Sequence, residues 1–322
     1  MNRGLAATIA AFGLWGLVPL YWKQLAAVPA TEIMAHRLIW CLVFVWIWLA
    51  LRERGSWWRP LLADRRTRYG LLASGALIGG NWWLYIWSVN NNHVVEASLG
   101  YFINPLVNIA LGTLLLKEQL NRWQWLSIAL AAVGVAWLTV DYGRPPWIAL
   151  TLAFSFGAYG LLRKTSAVGS VQGLGLETAL LFPVALATIA MIGWQGELQF
   201  GRVSPLENSL LILGGAVTAI PLILFAYGAR LIPYSTVGIV QYLGPTLQLL
   251  IGVGIYHEPF GSQRMIGFSI IWVALAIYAA NGLLRLRRDR QQRRRLLMAG
   301  PVAAAPAAPL ADIGEPPSRR PD

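Results

Sequence analysis

Long apolar runs constrain this chain more than any motif in it. We count ten of them, roughly 4–23, 33–52, 70–89, 95–116, 123–140, 146–163, 174–193, 208–228, 235–256 and 264–284. Each is close to the ~20 residues that carry a helix across a bilayer. Inside lipid a backbone must satisfy its own hydrogen bonds, so such runs fold as helices or not at all. An outer-membrane barrel would show shorter, alternating segments instead. Composition agrees, with 57% hydrophobic residues, 12% charged residues and a mean hydropathy of +0.54. The sequence predicts an all-α membrane protein with ten transmembrane helices.

The runs also repeat. Pro105, Gly112 and Glu118 recur as Pro245, Gly252 and Glu258 at identical spacing. The same shift lays residues 81–137 on 221–277 without a gap, pairing Tyr85 with Phe225 and Trp87 with Tyr227. Phe12-Gly13-Leu14-Trp15-Gly16-Leu17 likewise matches Phe156-Gly157-Ala158-Tyr159-Gly160-Leu161. Five runs precede residue 143 and five follow it, and an odd number of crossings turns the second copy over. The expectation is two inverted five-helix repeats, 1–143 and 144–284, the architecture of many secondary transporters. Arg285–Arg295 and the Ala/Pro-rich 299–322 bury too little apolar surface to order a chain, so 285–322 is expected to be a disordered, basic cytoplasmic tail.

Net charge is +12, a balance that in other settings marks nucleic-acid binding. Placement argues for the membrane instead. With a cytoplasmic N-terminus and ten crossings, about 21 of the 26 Lys and Arg fall on the cytoplasmic side, the positive-inside bias. Arg52, Arg54, Arg59, Arg65, Arg66 and Arg68 share one loop; Lys23, Arg37, Arg144, Arg202 and Arg264 lie outside or near that face. Both termini are expected in the cytoplasm and no nucleic-acid partner is expected. The first run is read as a retained helix, with Trp15, Tyr21, Trp22 and Lys23 as its interface belt. One cysteine, Cys41, excludes an intrachain disulfide.

Pro105 and Pro245 fall near the centres of their runs, where each removes a donor and loosens the helix. Freed carbonyls at that depth need protein or a wet cavity. Beside them stand Ser98, Tyr101, Asn104 and Asn108 on one helix and Gln241, Tyr242 and Gln248 on the other. Tyr101, Asn104 and Asn108 share a face, as do Gln241 and Gln248. Two facing polar stripes lining a substrate pathway is one reading, and interhelical bonding that holds the bundle together is the other. Asn81, Trp82 and Tyr85 add an aromatic wall suited to organic molecules rather than bare ions. Glu32, His36 and Glu177 are the candidates for ion coupling, against local salt bridging near the interface. Glu118 and Glu258 stand at helix ends, beside Lys117 and His257, where helix termination or pairing between repeats is expected. No Walker-type glycine loop, zincin helix, nucleophile elbow or carbonyl-filter sequence appears, so neither direct ATP drive nor enzyme chemistry is expected, and no cofactor or metal.

Several blocks carry a family resemblance. Gly79-Gly80-Asn81-Trp82, Ile86-Trp87 and the long block Glu96-Ala97-Ser98-Leu99-Gly100-Tyr101-Phe102-Ile103-Asn104-Pro105-Leu106 resemble the RarD family, a branch of the EamA-type permeases in the drug/metabolite transporter superfamily. Glu32 with His36-Arg37, Glu177-Thr178 and Gln241-Tyr242 with Gly244-Pro245-Thr246 are similar too, over about residues 5–284. Cys41 and His257 depart from that pattern, where Ser and Gly are usual. The resemblance implies a bacterial inner-membrane permease with a central cavity between inverted halves. The expected function is therefore transport of a small organic metabolite or drug-like molecule by alternating access, with a fixed-pore facilitator as the alternative. Oligomeric state, substrate and direction are left open.

Overall fold

The computed structural model describes residues 3–53, 56–91, 93–140, 145–257 and 261–298, and these are helical with short connections. The helices are α1 (Arg3–Trp22), α2 (Ala30–Arg52), α3 (Trp58–Ala63), α4 (Arg65–Asn90), α5 (Val94–Leu114), α6 (Arg122–Val140), α7 (Trp147–Thr165), α8 (Ser170–Trp194), α9 (Pro205–Leu231), α10 (Tyr234–Gln241), α11 (Leu243–Gly254) and α12 (Ser262–Met298). Among the described residues there is no strand. Arg54, Arg144, Glu258 and residues 299–322, all used in the sequence reading, lie outside the described residues.

Local chemistry starts these helices where it should. Pro29, Pro146 and Pro233 immediately precede α2, α7 and α10, positions where a missing N–H costs nothing. Ser204 and Glu207 form a reciprocal capping box at α9, with Pro205 in its first turn. Asp64 accepts the Thr67 N–H at 2.8 Å ahead of α4, and the Thr67 side chain together with that N–H holds its carboxyl below the usual range. Arg65, Arg66 and Arg68, expected in a loop, are the opening residues of that helix.

Eight stretches among the described residues are long and apolar enough to cross a membrane: α1, α2, most of α5, α6, α8, α9, α10 with α11, and Met265–Gly282 within α12. The other two runs fold as α4 and α7, helices of 26 and 19 residues. Each is more polar, carrying Arg65, Arg66, Arg68 and Asn81 in one case and Arg163 and Lys164 in the other.

The chain to Tyr278 is one compact unit, because its packing ignores the midpoint of the sequence. α1 lies on α9 and α11, α2 on α8 and α9, α4 on α7 and α8, and α5 on α7 and α10. Every one of these pairs joins a helix from before residue 143 to one after it. The main core is mixed in the same way, uniting Ala11, Phe12, Cys41 and Val45 with Tyr159, Leu222, Phe225 and Tyr234. From Ala279 a second unit begins, and its described part is the end of α12. Helix reaches Met298, past the boundary at 284 where the tail was expected to lose order. Its Arg, Gln and Leu residues are good helix formers.

The first copy of the Pro–Gly–Glu punctuation has a local explanation. Pro105 sits inside a continuous α5, whereas Pro245 follows a break at Tyr242 that separates α10 from α11. Glu118 accepts the Tyr234 and Ser235 N–H groups at 2.5 and 2.9 Å and the Ser235 hydroxyl at 2.7 Å. It thereby caps the positive end of α10 from the other half of the chain. Gly112 leaves the room, since a Cβ there would stand 2.8 Å from the Glu118 Oε2.

Candidate functional site

A cavity of about 390 Å³ lies among α1, α2, α4, α5, α7, α9, α10 and α11, within the size range of small-molecule sites. α4 contributes Asn81, Trp82 and Tyr85, α5 contributes Tyr101 and Asn104, and α10 and α11 add Gln241, Pro245 and Gln248. Both proline-bearing segments therefore reach one wall, as does the aromatic patch on α4.

Other expected residues stand elsewhere. Asn108 is fully buried behind the wall and donates to the Gln241 Oε1 at 2.6 Å. Tyr242 packs with Ala131, Val135 and Ile271, so the helical turn that aims Gln241 at the cavity aims Tyr242 away from it. Pro105 does not line the cavity. Gln241 in turn donates to the Asn104 Oδ1 at 2.8 Å, and Asn104 donates to the Ala153 carbonyl at 3.0 Å. Gln248 donates to the Trp15 carbonyl, and Asn81 to the Leu152 carbonyl and Ser155. The amides Asn81, Asn104, Gln241 and Gln248 are thus both cavity lining and cross-links between the halves.

The candidate ion-coupling groups lie outside the cavity lining. Glu32, fully buried, accepts the N–H groups of Gln199 and Phe200 at 2.8–3.1 Å and so ties the loop before α9 to α2. His36 accepts from the Trp40 indole at 3.2 Å and its Nε2 lies 3.8 Å from Glu32. Glu177 is buried with Arg163 at 3.5 Å, accepts from the Ser74 hydroxyl at 2.5 Å and receives the Tyr159 hydroxyl at 3.3 Å. Gly173 is required beside that pair, because a Cβ would fall 2.0 Å from the Arg163 Nη1.

Between the cavity and the Glu177 pair lies an aromatic floor. Phe12 and Phe156 each bring their ring centroids within 5.3–6.0 Å of Trp15 and Phe225, which are themselves 5.9 Å apart, and Phe156 continues to Tyr159 at 5.9 Å. Phe12 and Phe156 are equivalent in the internal repeat and both line the cavity. Comparing the repeats at those positions was the available signal. Trp15 and Trp22, expected at the membrane interface, face the cavity instead.

Arg37 is the residue the sequence reading passed over. A run starting at 33 put it near the membrane edge, but α2 begins at Ala30, so Arg37 lies about two turns into the helix. It lines the cavity, donates from Nε to the Thr218 hydroxyl at 3.0 Å, and holds its guanidinium 4.9 Å from the Trp22 ring and 5.8 Å from the Trp82 ring.

Comparison with known proteins gives this geometry its context. The profile of the EamA-like transporter family matches residues 2–140 and again 145–280. The chain is 47% identical over 308 residues to Protein RarD of Streptomyces exfoliatus, covering 95% of this chain and 96% of that one. It is 43% identical to Protein RarD of Escherichia coli (strain K12), over 89% of this chain and 97% of its relative. It is 46% identical to the uncharacterized transporter YojE of Bacillus subtilis (strain 168), over 86% and 93% of the two chains. A solved crystal structure superposes with a TM-score of 0.67 at 17% identity, covering 86% of this chain and 97% of that one, and shows the fold alone. The cavity described above therefore belongs to a multi-pass membrane protein, and the chain is a member of the EamA-like transporter family.

Proposed function

We propose that this protein is a secondary transporter that moves a small organic molecule across a bacterial inner membrane by alternating access. In this reading the chain crosses ten times as two inverted repeats, 1–143 and 144–284, and both termini are cytoplasmic. The observation that carries it is one cavity lined by both repeats and floored on one side. The packing supports the inversion. Exchanging α1 with α7, α2 with α8, α4 with α9 and α5 with α10–α11 converts α1 on α9 into α7 on α4, and α5 on α7 into α11 on α1. The α2–α8 and α5–α10 contacts map onto themselves, and all of these contacts occur. A pseudo-twofold relation produces that pattern, and with five crossings in each repeat its axis would lie in the membrane plane.

Orientation follows from charge. Arg52, Arg59, Arg65, Arg66, Arg68 and Lys164 stand at or beside the ends of α2, α4 and α7, a bias that supports a cytoplasmic location for that end. The cavity then faces outward. Its inner seal comprises the floor, the Arg163–Glu177 pair, and Lys164, which donates to the Ala229 and Ile232 carbonyls at 2.8 and 2.5 Å. Opening inward requires those contacts to part as the halves rock about the Pro105 and Pro245 helices.

Comparing metabolites inside and outside cells that lack or overproduce the protein identifies the cargo as the molecule that changes reciprocally. Asn104→Ala and Gln241→Ala are expected to abolish its movement while leaving membrane abundance unchanged. Full transport by both variants would remove the site assignment. Rates that never saturate, or single-channel currents in a bilayer, would replace the transporter with a fixed-pore facilitator.

A further inference from the structure

Among the described residues lining the central cavity, Arg37 is the one with a charged side chain. Its Nε has an acceptor in Thr218, and no described carboxylate pairs with it. The acidic groups closest to it in sequence or symmetry have other partners: Glu32 holds the 199–200 backbone and Glu177 holds Arg163. Two indole faces, those of Trp22 and Trp82, stabilise the cation through their ring quadrupoles. They do not neutralise it, and they leave the Nη groups without a protein acceptor among the described residues. A guanidinium presents a planar fork of donors that matches a carboxylate.

Around that fork the walls are apolar and aromatic. Trp15, Trp82, Tyr85, Tyr101 and Phe156 supply flat surfaces, and Asn81 and Gln248 supply amides. Among the described residues no lining carboxylate is present to receive an ammonium group, and the Arg37 guanidinium beside Trp22 and Trp82 repels one. We infer that the cavity takes a small organic monoanion, a carboxylate on an aromatic or apolar body, with Arg37 as its counter-charge. The same arrangement disfavours cations and gives zwitterions a partner for one charge alone. This rests on the transporter reading and narrows it to a substrate class.

The test uses three probes with one ring system and different charge, indole-3-acetate, indole-3-acetamide and tryptamine, titrated calorimetrically into the purified full-length protein. The acid is expected to bind about tenfold or more tighter than the amide, the value of a charge-assisted hydrogen bond, and tryptamine weakest. Arg37→Gln is expected to bring the acid and amide within about threefold of each other. Arg37→Lys is expected to retain part of the preference, because it keeps the charge but not the fork. If Arg37→Gln does not yield folded protein, the wild-type acid-to-amide ratio and the Arg37→Lys variant decide. Equal affinity of acid and amide in the wild type, no binding of the acid at millimolar concentration, or an unchanged ratio in Arg37→Gln overturns the inference. Uptake into proteoliposomes separates the two readings. Vesicles that pass the amide and refuse the acid keep the transporter and discard the anion; vesicles that pass no solute discard the transporter.

Discussion

Gly173 shows how a single missing methyl group sets the chemistry of a buried layer. Arg163 is 1% exposed, and its Nη2 donates to the Gly169 and Ser170 carbonyls at 3.0 and 3.2 Å while Nη1 faces Glu177 at 3.5 Å. A Cβ at position 173 would occupy the guanidinium's place. Gly173→Ala is therefore expected to expel Arg163 and leave Glu177 buried without its counter-ion, a loss of about 3 kcal/mol. Denaturant unfolding in detergent micelles measures it, and a change below about 1 kcal/mol, the level of an ordinary surface substitution, would show that the pair is dispensable. Nothing in the sequence singles out this glycine among the 32 in the chain, since the side chain it accommodates arrives from a neighbouring helix. Arg37 was hidden for a related reason. The run put it near the membrane edge rather than two turns into α2, and the Thr218, Trp22 and Trp82 groups that make it a cavity cation lie on other segments.

Elements tell a different story, because their boundaries depend on local chemistry. Apolar runs, prolines and caps place most of the long helices to within a few residues, α12 excepted because its polar end stays helical to Met298, and α4 and α7 emerge despite their polar content. Helix ends are where the halves of the chain interact. The Glu118 carboxylate closes the N-terminus of α10, an arrangement that an acidic side chain after an apolar run implies only as one option among several. Glu118→Gln keeps the size but removes the charge that faces the helix dipole and the two N–H groups. It is expected to lower stability by about 1 kcal/mol, the usual scale of a lost cap. It is also expected to speed amide hydrogen exchange at Tyr234 and Ser235, while exchange in α6 stays unchanged. Equal protection at Tyr234 and Ser235 in both proteins would mean that α10 is capped by some other group.

At the scale of the whole molecule, the arrangement of cavity, floor and sealed end makes a directional prediction. In a Cys41→Ser background, which removes the chain's single cysteine, Gln248→Cys is expected to react with a membrane-impermeant maleimide added outside intact spheroplasts. Ser74→Cys, buried beside Glu177, is expected to stay unlabelled from that side. The reverse pattern would turn the orientation over. Sequence alone determined that this chain is helical, membrane-embedded and internally repeated, because bilayer thickness, backbone hydrogen bonding and residue spacing are local, one-dimensional constraints. It also picked out most of the polar and aromatic residues around the cavity, since polarity inside an apolar run is visible without a fold. Which of them face the same space was decided by tertiary structure alone. A turn of about 100° per residue separates Gln241 from Tyr242, and the partners of Arg37, Glu118 and Glu177 come from other helices. Charge pairing, capping and cavity shape depend on distances between helices, and those distances exist only once the two halves have packed into each other.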